Sequence, residues 1–221
     1  MIAPTILKDS VKVLCRLKWL SLFLCWKGPT KGQQVALTFD DGIDPVFTPK
    51  VLQILQRFRV RATFFILGNS VERNSKLLAT MIDQGHEIGI HGWNHSVDNL
   101  PFQVNECAKK LKDFGLTSSL YRPPGGRIKI PGFLWLAFHG FRTVLWSVDF
   151  RDSMRAEGKW PNRSPNHHSI GSGDIVLFHD DNEICVRELP SVLNYLNDRQ
   201  IKAVRVSELF GKKAAGRKCP S

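Results

Sequence analysis

No Cys-x-x-Cys pair occurs anywhere in this chain, and its five cysteines (Cys15, Cys25, Cys107, Cys185, Cys219) are an odd number scattered from end to end. That excludes a paired-cysteine zinc knuckle and argues against a disulfide framework. Reduced thiols of this kind fit a cytoplasmic protein, which is the expected location. No stretch repeats at a period of roughly twenty to fifty residues and none is of low complexity, which excludes a solenoid and a largely disordered chain. Long apolar runs are missing as well. The best candidate, Trp19 to Trp26, is too short to span a bilayer, and no small-x-small cleavage site follows it.

Acidic residues are also few, 20 against 31 Lys and Arg, leaving a net charge of +11. No nucleic-acid motif and no basic stripe interleaved with aromatics accompanies that charge, so no nucleic-acid partner is expected. Anionic lipid headgroups, a phosphate-bearing glycan carrier or an acidic polysaccharide suit it better. Basic residues gather at the two ends, Lys8, Lys12, Arg16 and Lys18 at one and Lys212, Lys213, Arg217 and Lys218 at the other. Residues 1–32 are therefore set apart as a basic and apolar segment. It is either an element packed on the domain or, through Trp19 and Trp26, one lying peripherally on an anionic membrane surface. Residues 212–221 form a basic tail. The 33–211 stretch between them is read as one globular domain, since the chain's 43% apolar and 23% charged composition is ordinary.

What is present is an Asp pair and a His pair. Val35-Ala36-Leu37-Thr38-Phe39 reads as a strand and runs into Asp40-Asp41-Gly42, whose glycine suits a sharp turn. Glu87-Ile88-Gly89-Ile90 reads as another strand and runs into His91-Gly92-Trp93-Asn94-His95. The i, i+4 spacing predicts both imidazoles on one side of a helical turn. One carboxylate and two imidazoles leave a divalent metal an open position for water. The other carboxylate is then free to act on that water as a base. The pattern suggests a metal hydrolase.

The remaining chain alternates strand and helix. Thr48 is placed as the cap of a helix with Pro49 at its first position, and helices are expected over 75–84, 103–114, 133–138 and 186–197. Strands are expected over 62–67, 143–148, 174–178 and 202–206, and a short one reaching Arg122. About seven parallel strands with helices between them predict a single-domain α/β fold, a distorted (β/α)7-type barrel. Asp40, Asp41, His91, Arg122, Asp149 and His179 all fall at strand C-termini, where such barrels gather catalytic groups. The polar stretch from Arg151 to Ser172 is read as a loop over that end.

With Arg122-Pro123-Pro124-Gly125-Gly126, Asp149-Phe150-Arg151-Asp152 and Ile175-Val176-Leu177-Phe178-His179-Asp180 in the same order, the chain from Gln34 to Leu209 resembles the polysaccharide deacetylase family. This is carbohydrate esterase family 4, also called the NodB homology domain. The resemblance implies that Asp41, His91 and His95 hold a divalent metal, most often Zn2+, with Asp40 as general base and His179 as general acid. It also implies that Arg122 holds Asp40, that Asp152 orients His179, and that Pro124 and Gly125 face the substrate, with a backbone N–H near Gly125 on the oxyanion.

The chain departs from that family at four positions. Ile43 stands where proline is common, Gly92 where Ser or Thr is usual, Gly125 where an aromatic is usual, and Ser153 where tryptophan is expected. The last two remove ring surface from the sugar groove and favour a short or carrier-linked amino sugar over a long polymer. Ser153 further predicts a water-screened Asp152–His179 pair. The resulting expectation is a hydrolase that removes the N-acetyl group from an amino sugar of a glycan. Two alternatives stay open: a related amidohydrolase on an N-formyl or non-sugar substrate, and a non-catalytic glycan- or membrane-binding barrel.

Overall fold

The structure is a computed structural model in which residues 22–163 and 167–211 are described. Most of the basic N-terminal segment and the 212–221 tail lie outside those residues. Of the expected interfacial stretch, Leu22 and Trp26 are exposed, whereas Leu24 and Cys25 are buried. These two form strand β1 (Leu24–Cys25) and pair with Thr143 and Val144, so the sheet begins ahead of residue 33. No helix among the described residues is long and apolar enough to cross a membrane.

The chain then runs β2 (Gln34–Asp40), α1 (Thr48–Arg57), β3 (Thr63–Leu67), α2 (Gly68–Val71), α3 (Ser75–Asp83), β4 (Glu87–Gly92) and α4 (Leu100–Lys112). It continues with β5 (Leu120–Tyr121), α5 (Ile130–Phe138), β6 (Arg142–Val144), β7 (Val148–Asp149) and α6 (Asp152–Ala156). β8 (Ile175–His179), α7 (Glu183–Asp198), β9 (Lys202–Val204) and α8 (Val206–Leu209) complete it. The strands pair in parallel in the order β1-β6-β5-β4-β3-β2-β8-β7, and β9 joins the first half of β2. Arg122, just after β5, hydrogen-bonds to Thr38 and Asp40 of β2, three places away in that order. Such a reach requires the sheet to curl around the side chain. The expected distorted barrel is what forms, as an open, curled half-barrel in one domain.

Alternation along each strand sorts the two faces. Val35, Leu37, Phe39, Phe64, Ile66, Val176 and Phe178 pack outward under the helices, with Phe39 stacked between Phe64 and Phe178. Ala36, Phe65, Leu120, Val144, Ile175 and Val204 face inward and are joined by Val206 and Leu209 of α8. Thr38 and Asp40 share the inward parity of Ala36, which is why the last residue of β2 delivers a carboxylate into the barrel.

Four expectations about elements need correction. Thr48 is the first residue of α1, and its hydroxyl accepts from Asp44 N–H and donates to Asp180; Asp44 itself turns the chain by accepting from Val46 and Phe47. The strand expected over 143–148 is two short strands, because Val144 and Leu145 turn their carbonyls to the Arg122 guanidinium. The 151–172 loop contains α6 and a short 3-10 turn at His167–Ser169. The His pair does not sit on a helical turn: His91 is in β4, and His95 follows in a bend at φ 60°.

Gly89 of β4 lies under the Phe65 ring, where an added Cβ would come within 2.5 Å of the ring carbons. Phe65 is fully buried. Gly89→Ala is expected to destabilise the fold by about 1–3 kcal/mol through overpacking. Calorimetry of the metal-free protein should register this as a fall in Tm of roughly 3–10 °C.

Candidate active site

The barrel's C-terminal mouth is organised by Arg122, whose side chain is fully buried. A buried guanidinium is tolerable only with its donors satisfied. Here Nη1 donates to Asp40 Oδ1 at 2.7 Å and to Thr38 Oγ1 at 2.8 Å, Nε to the Val144 carbonyl and Nη2 to that of Leu145. The group also lies 4.2 Å from the centre of the Phe65 ring. Burial lowers the arginine's pKa, and the carboxylates of Asp40 and, less strongly, Asp149 act against that shift. Asp40 is thereby held at one oxygen by a cation and left with its other oxygen facing the His91 side, 3.9 Å from Nε2.

Asp41 points elsewhere because its backbone turns left-handed, φ 68°. The sharp turn expected of Gly42 is thus made one residue earlier. Gly42 is needed for a different reason: a Cβ there would lie 2.5 Å from both carboxylate oxygens of buried Asp180. Asp41 Oδ1 stands 3.3 Å from His91 Nε2 and 3.3 Å from His95 Nε2. It is buried and makes no hydrogen bond. Burial pushes the Asp41 carboxyl up, but contact with His91 and the fields of His91, His179 and His95 outweigh it and bring the pKa down to about 2.

These three donors fit a metal. Tetrahedral zinc with bonds near 2.0–2.1 Å separates its ligand atoms by roughly 3.3 Å. The two Asp41–His contacts match that separation, and the donor atoms of all three residues lie within 4.8 Å of one another. A buried carboxylate oxygen without a hydrogen bond is unfavourable unless a cation meets it. The Arg122 carbonyl accepts from His91 Nδ1 at 2.9 Å, which leaves Nε2 as the lone-pair nitrogen turned toward Asp41.

On the other side stands His179, at the end of β8. Its Nδ1 is 2.8 Å from Asp152 Oδ1, and its Nε2 is 4.0 Å from Asp41 Oδ2. Asp152 also accepts from the His179 backbone N–H and from Asn182 Nδ2. The expectation of a water-screened pair fails, since Asp152 is fully buried. With no tryptophan at Ser153, the shielding comes from the start of α7, through Asn182 and buried Cys185. Burial disfavours the imidazolium, but the Asp152 hydrogen bond and the charges of Asp152, Asp40 and Asp41 prevail and raise the His179 pKa to about 10.

Asp40, Asp41, His91, His95, Arg122, Asp152 and His179 are therefore one cluster. Pro124 and Gly125 sit in the 3-10 turn after Arg122, Pro124 buried and Gly125 exposed, with no side-chain bond to the cluster. Gly125 has φ 59°, a conformation that an aromatic side chain would strain, so its departure from the family follows from the local backbone. Sequence reading missed the residues that brace the Asp41 turn. Ser70 Oγ accepts from Ile43 N–H and Asn74 Nδ2 donates to the Ile43 carbonyl. Asp180 is fully buried under Gly42; burial pushes its pKa up to about 7, and it takes the Thr48 hydroxyl. Its place directly after His179 was the one available signal.

Comparison with known proteins identifies the family. The family described as "Polysaccharide deacetylase" matches residues 27–143. A peptidoglycan-N-acetylglucosamine deacetylase of Bacillus cereus is 36% identical over 85% of this chain and 93% of its own length. The peptidoglycan-N-acetylmuramic acid deacetylase PdaA of Bacillus subtilis is 35% identical over 69% of this chain and 62% of its own. The chain spans only 40% of PgdA, a peptidoglycan-N-acetylglucosamine deacetylase of Listeria monocytogenes, at 31% identity. Among solved structures, the Bc1960 peptidoglycan N-acetylglucosamine deacetylase superposes with a TM-score of 0.78 at 28% identity, covering 87% of this chain and 95% of that one. The chain belongs to the polysaccharide deacetylase family, whose matched deacetylases are hydrolases of carbon–nitrogen bonds other than peptide bonds.

Proposed function

We propose that this protein is a metal-dependent N-deacetylase of N-acetylated amino sugars in a peptidoglycan-type glycan. The observation that carries the reading is the buried, unbonded Asp41 Oδ1 between two imidazole nitrogens, with Asp40–Arg122 on one side and His179–Asp152 on the other. The names of the relatives support the substrate class. A zinc-class cation held by Asp41, His91 and His95 supplies an acidified water and a Lewis acid for the acyl oxygen.

The chain's own residues account for the proton movements. Asp40, paired with and aimed by Arg122, accepts the proton of the attacking water. A lone pair of the water oxygen forms the new carbon–oxygen bond as the carbonyl π electrons move onto the acyl oxygen; these return as the carbon–nitrogen bond breaks and its electron pair leaves with the nitrogen. His179 donates from Nε2 to the departing sugar nitrogen, since Nδ1 is committed to Asp152. The products are acetate and a free amino sugar. Several neighbouring folds belong to a pseudoenzyme of this family from Bacillus anthracis, so the fold alone does not decide activity. The intact acid, base and ligand set favours catalysis.

Mass spectrometry after incubating the zinc-loaded protein with N-acetylated glycan fragments tests the reading. Replacement of acetyl by hydrogen is expected, and it should stop on chelation and resume with added zinc. Turnover that survives complete metal removal would sink the mechanism. Asp40→Asn should lower turnover by about a hundred- to ten-thousand-fold while zinc still binds. A variant that instead loses zinc would mean the two acids have exchanged roles.

The pH dependence follows from the Asp152–His179 pair. The acid must be protonated, so the rate falls as pH rises through the pKa of His179. The Asp152 carboxylate raises that pKa above the ordinary histidine value, whereas a bound cation would lower it from the metal-free value of about 10. Asp152→Asn should therefore move the alkaline limb of the kcat profile to lower pH and reduce the maximal rate. An unmoved limb would assign the acid to another group.

A further inference from the structure

Four backbone units separate the two imidazoles of the metal site, and the path between them is irregular. Gly92 leaves β4 at φ 109°, Trp93 and Asn94 form a bend, and His95 is left-handed at φ 60° and exposed. Nothing intrinsic to such a segment would hold His95 Nε2 at 3.3 Å from Asp41. Its fastening comes from another element. Gln103 projects from the first turns of α4 and is buried, 4% exposed. Its Oε1 accepts from the Trp93 N–H at 2.7 Å and the Asn94 N–H at 3.1 Å, and its Nε2 donates to Asn94 Oδ1 at 2.8 Å. Across the bend, the Trp93 carbonyl accepts from the Asn69 N–H.

Gly92 and Gln103 are matched. A Cβ at position 92 would stand 3.2 Å from Gln103 Oε1, and φ 109° is itself strained for any side chain. The Ser or Thr expected at this position from the family pattern would therefore crowd the seated amide by a few tenths of an ångström and strain the backbone. We infer that Gln103 is the positioning residue for the metal ligand His95, holding the 92–95 bend from α4. This rests on the metal-site reading above and concerns how the third ligand is kept in place. Without the amide, the two N–H groups of this partly exposed bend can turn to water. The fold then survives, but His95 is no longer preorganised.

The test is zinc affinity by competition with a chromophoric chelator, on the full chain, for the natural protein, Gln103→Leu and Gln103→Glu. Loss of an outer residue that orients a ligand typically weakens metal binding by about ten- to a hundredfold. Gln103→Leu should show that loss while its metal-free form melts within about 5 °C of the natural protein, a shift on the order of a surface rearrangement. Gln103→Glu keeps an acceptor for both N–H groups and should restore affinity to within a few-fold. Equal affinity in Gln103→Leu would overturn the assignment. So would a large fall in metal-free stability or a failure to fold, since the role claimed is confined to the bend. A natural protein that binds no zinc would instead overturn the metal-site reading on which the inference stands.

Discussion

Everything at the mouth of this barrel depends on one buried guanidinium. Arg122 lies where a hydrophobic side chain would be the ordinary filling, and removing a charge from water is unfavourable unless its partners replace the water. Its hydrogen bonds join the Asp40 carboxylate, the Thr38 hydroxyl and two carbonyls in the 144–145 stretch, and the Phe65 ring covers one face. The same residue's carbonyl accepts from His91 Nδ1. One amino acid thus sets the direction of the proposed base through its side chain and the tautomer of a proposed metal ligand through its backbone. The curl of the sheet is tied to it as well, since β2, β5 and β6 are drawn to a common centre.

The second ion pair is built on the same logic with the signs reversed. Asp152 is the fully buried member, and it is satisfied by His179 Nδ1, the His179 N–H and Asn182. Each group proposed to move a proton is therefore held at one atom by a fully buried partner of opposite charge. Such a design needs the buried partner to be saturated with hydrogen bonds, because any unpaired donor or acceptor there would compete for the reacting group. Arg155, itself buried and paired with Glu188 of α7, fastens α6 to α7 and so keeps Asp152 at the end of β8.

Much of this was legible in the residues. Continuous apolar runs ending in an acid or a histidine point to parallel strands with a polar mouth, and the strand ends at Asp40, His91 and His179 follow that rule. What was not legible depends on partners distant in sequence. The run from Thr143 to Val148 reads as one strand because it is rich in β-branched and apolar residues, yet the ladder is interrupted where Arg122 claims two carbonyls. Thr48 reads as a helix cap, but the hydroxyl is drawn to Asp180, a residue 132 positions away. Ser153 alone does not report the shielding of Asp152, because the cover comes from Asn182 and the start of α7. The spacing of His91 and His95 led to the right pairing for the wrong reason: a bend fastened by Gln103 brings them together, and i, i+4 spacing has no helical meaning there.

The adjacency of Asp40 and Asp41 poses the remaining question, how neighbours can hold different roles. Successive side chains on a strand point to opposite faces, so a continued β2 would bury Asp41 among the outward phenylalanines. The left-handed turn at Asp41 prevents that and swings its carboxylate up to the His pair. Support for the turn comes from beneath, where Gly42 rests against the Asp180 carboxyl, and from the side, where Ser70 and Asn74 hold Ile43. Asp40 still obeys strand geometry and belongs to Arg122, whereas Asp41 has left the strand and belongs to the imidazoles. The proposed division of labour between base and ligand is thus a backbone property, decided at a single residue by where the strand ends.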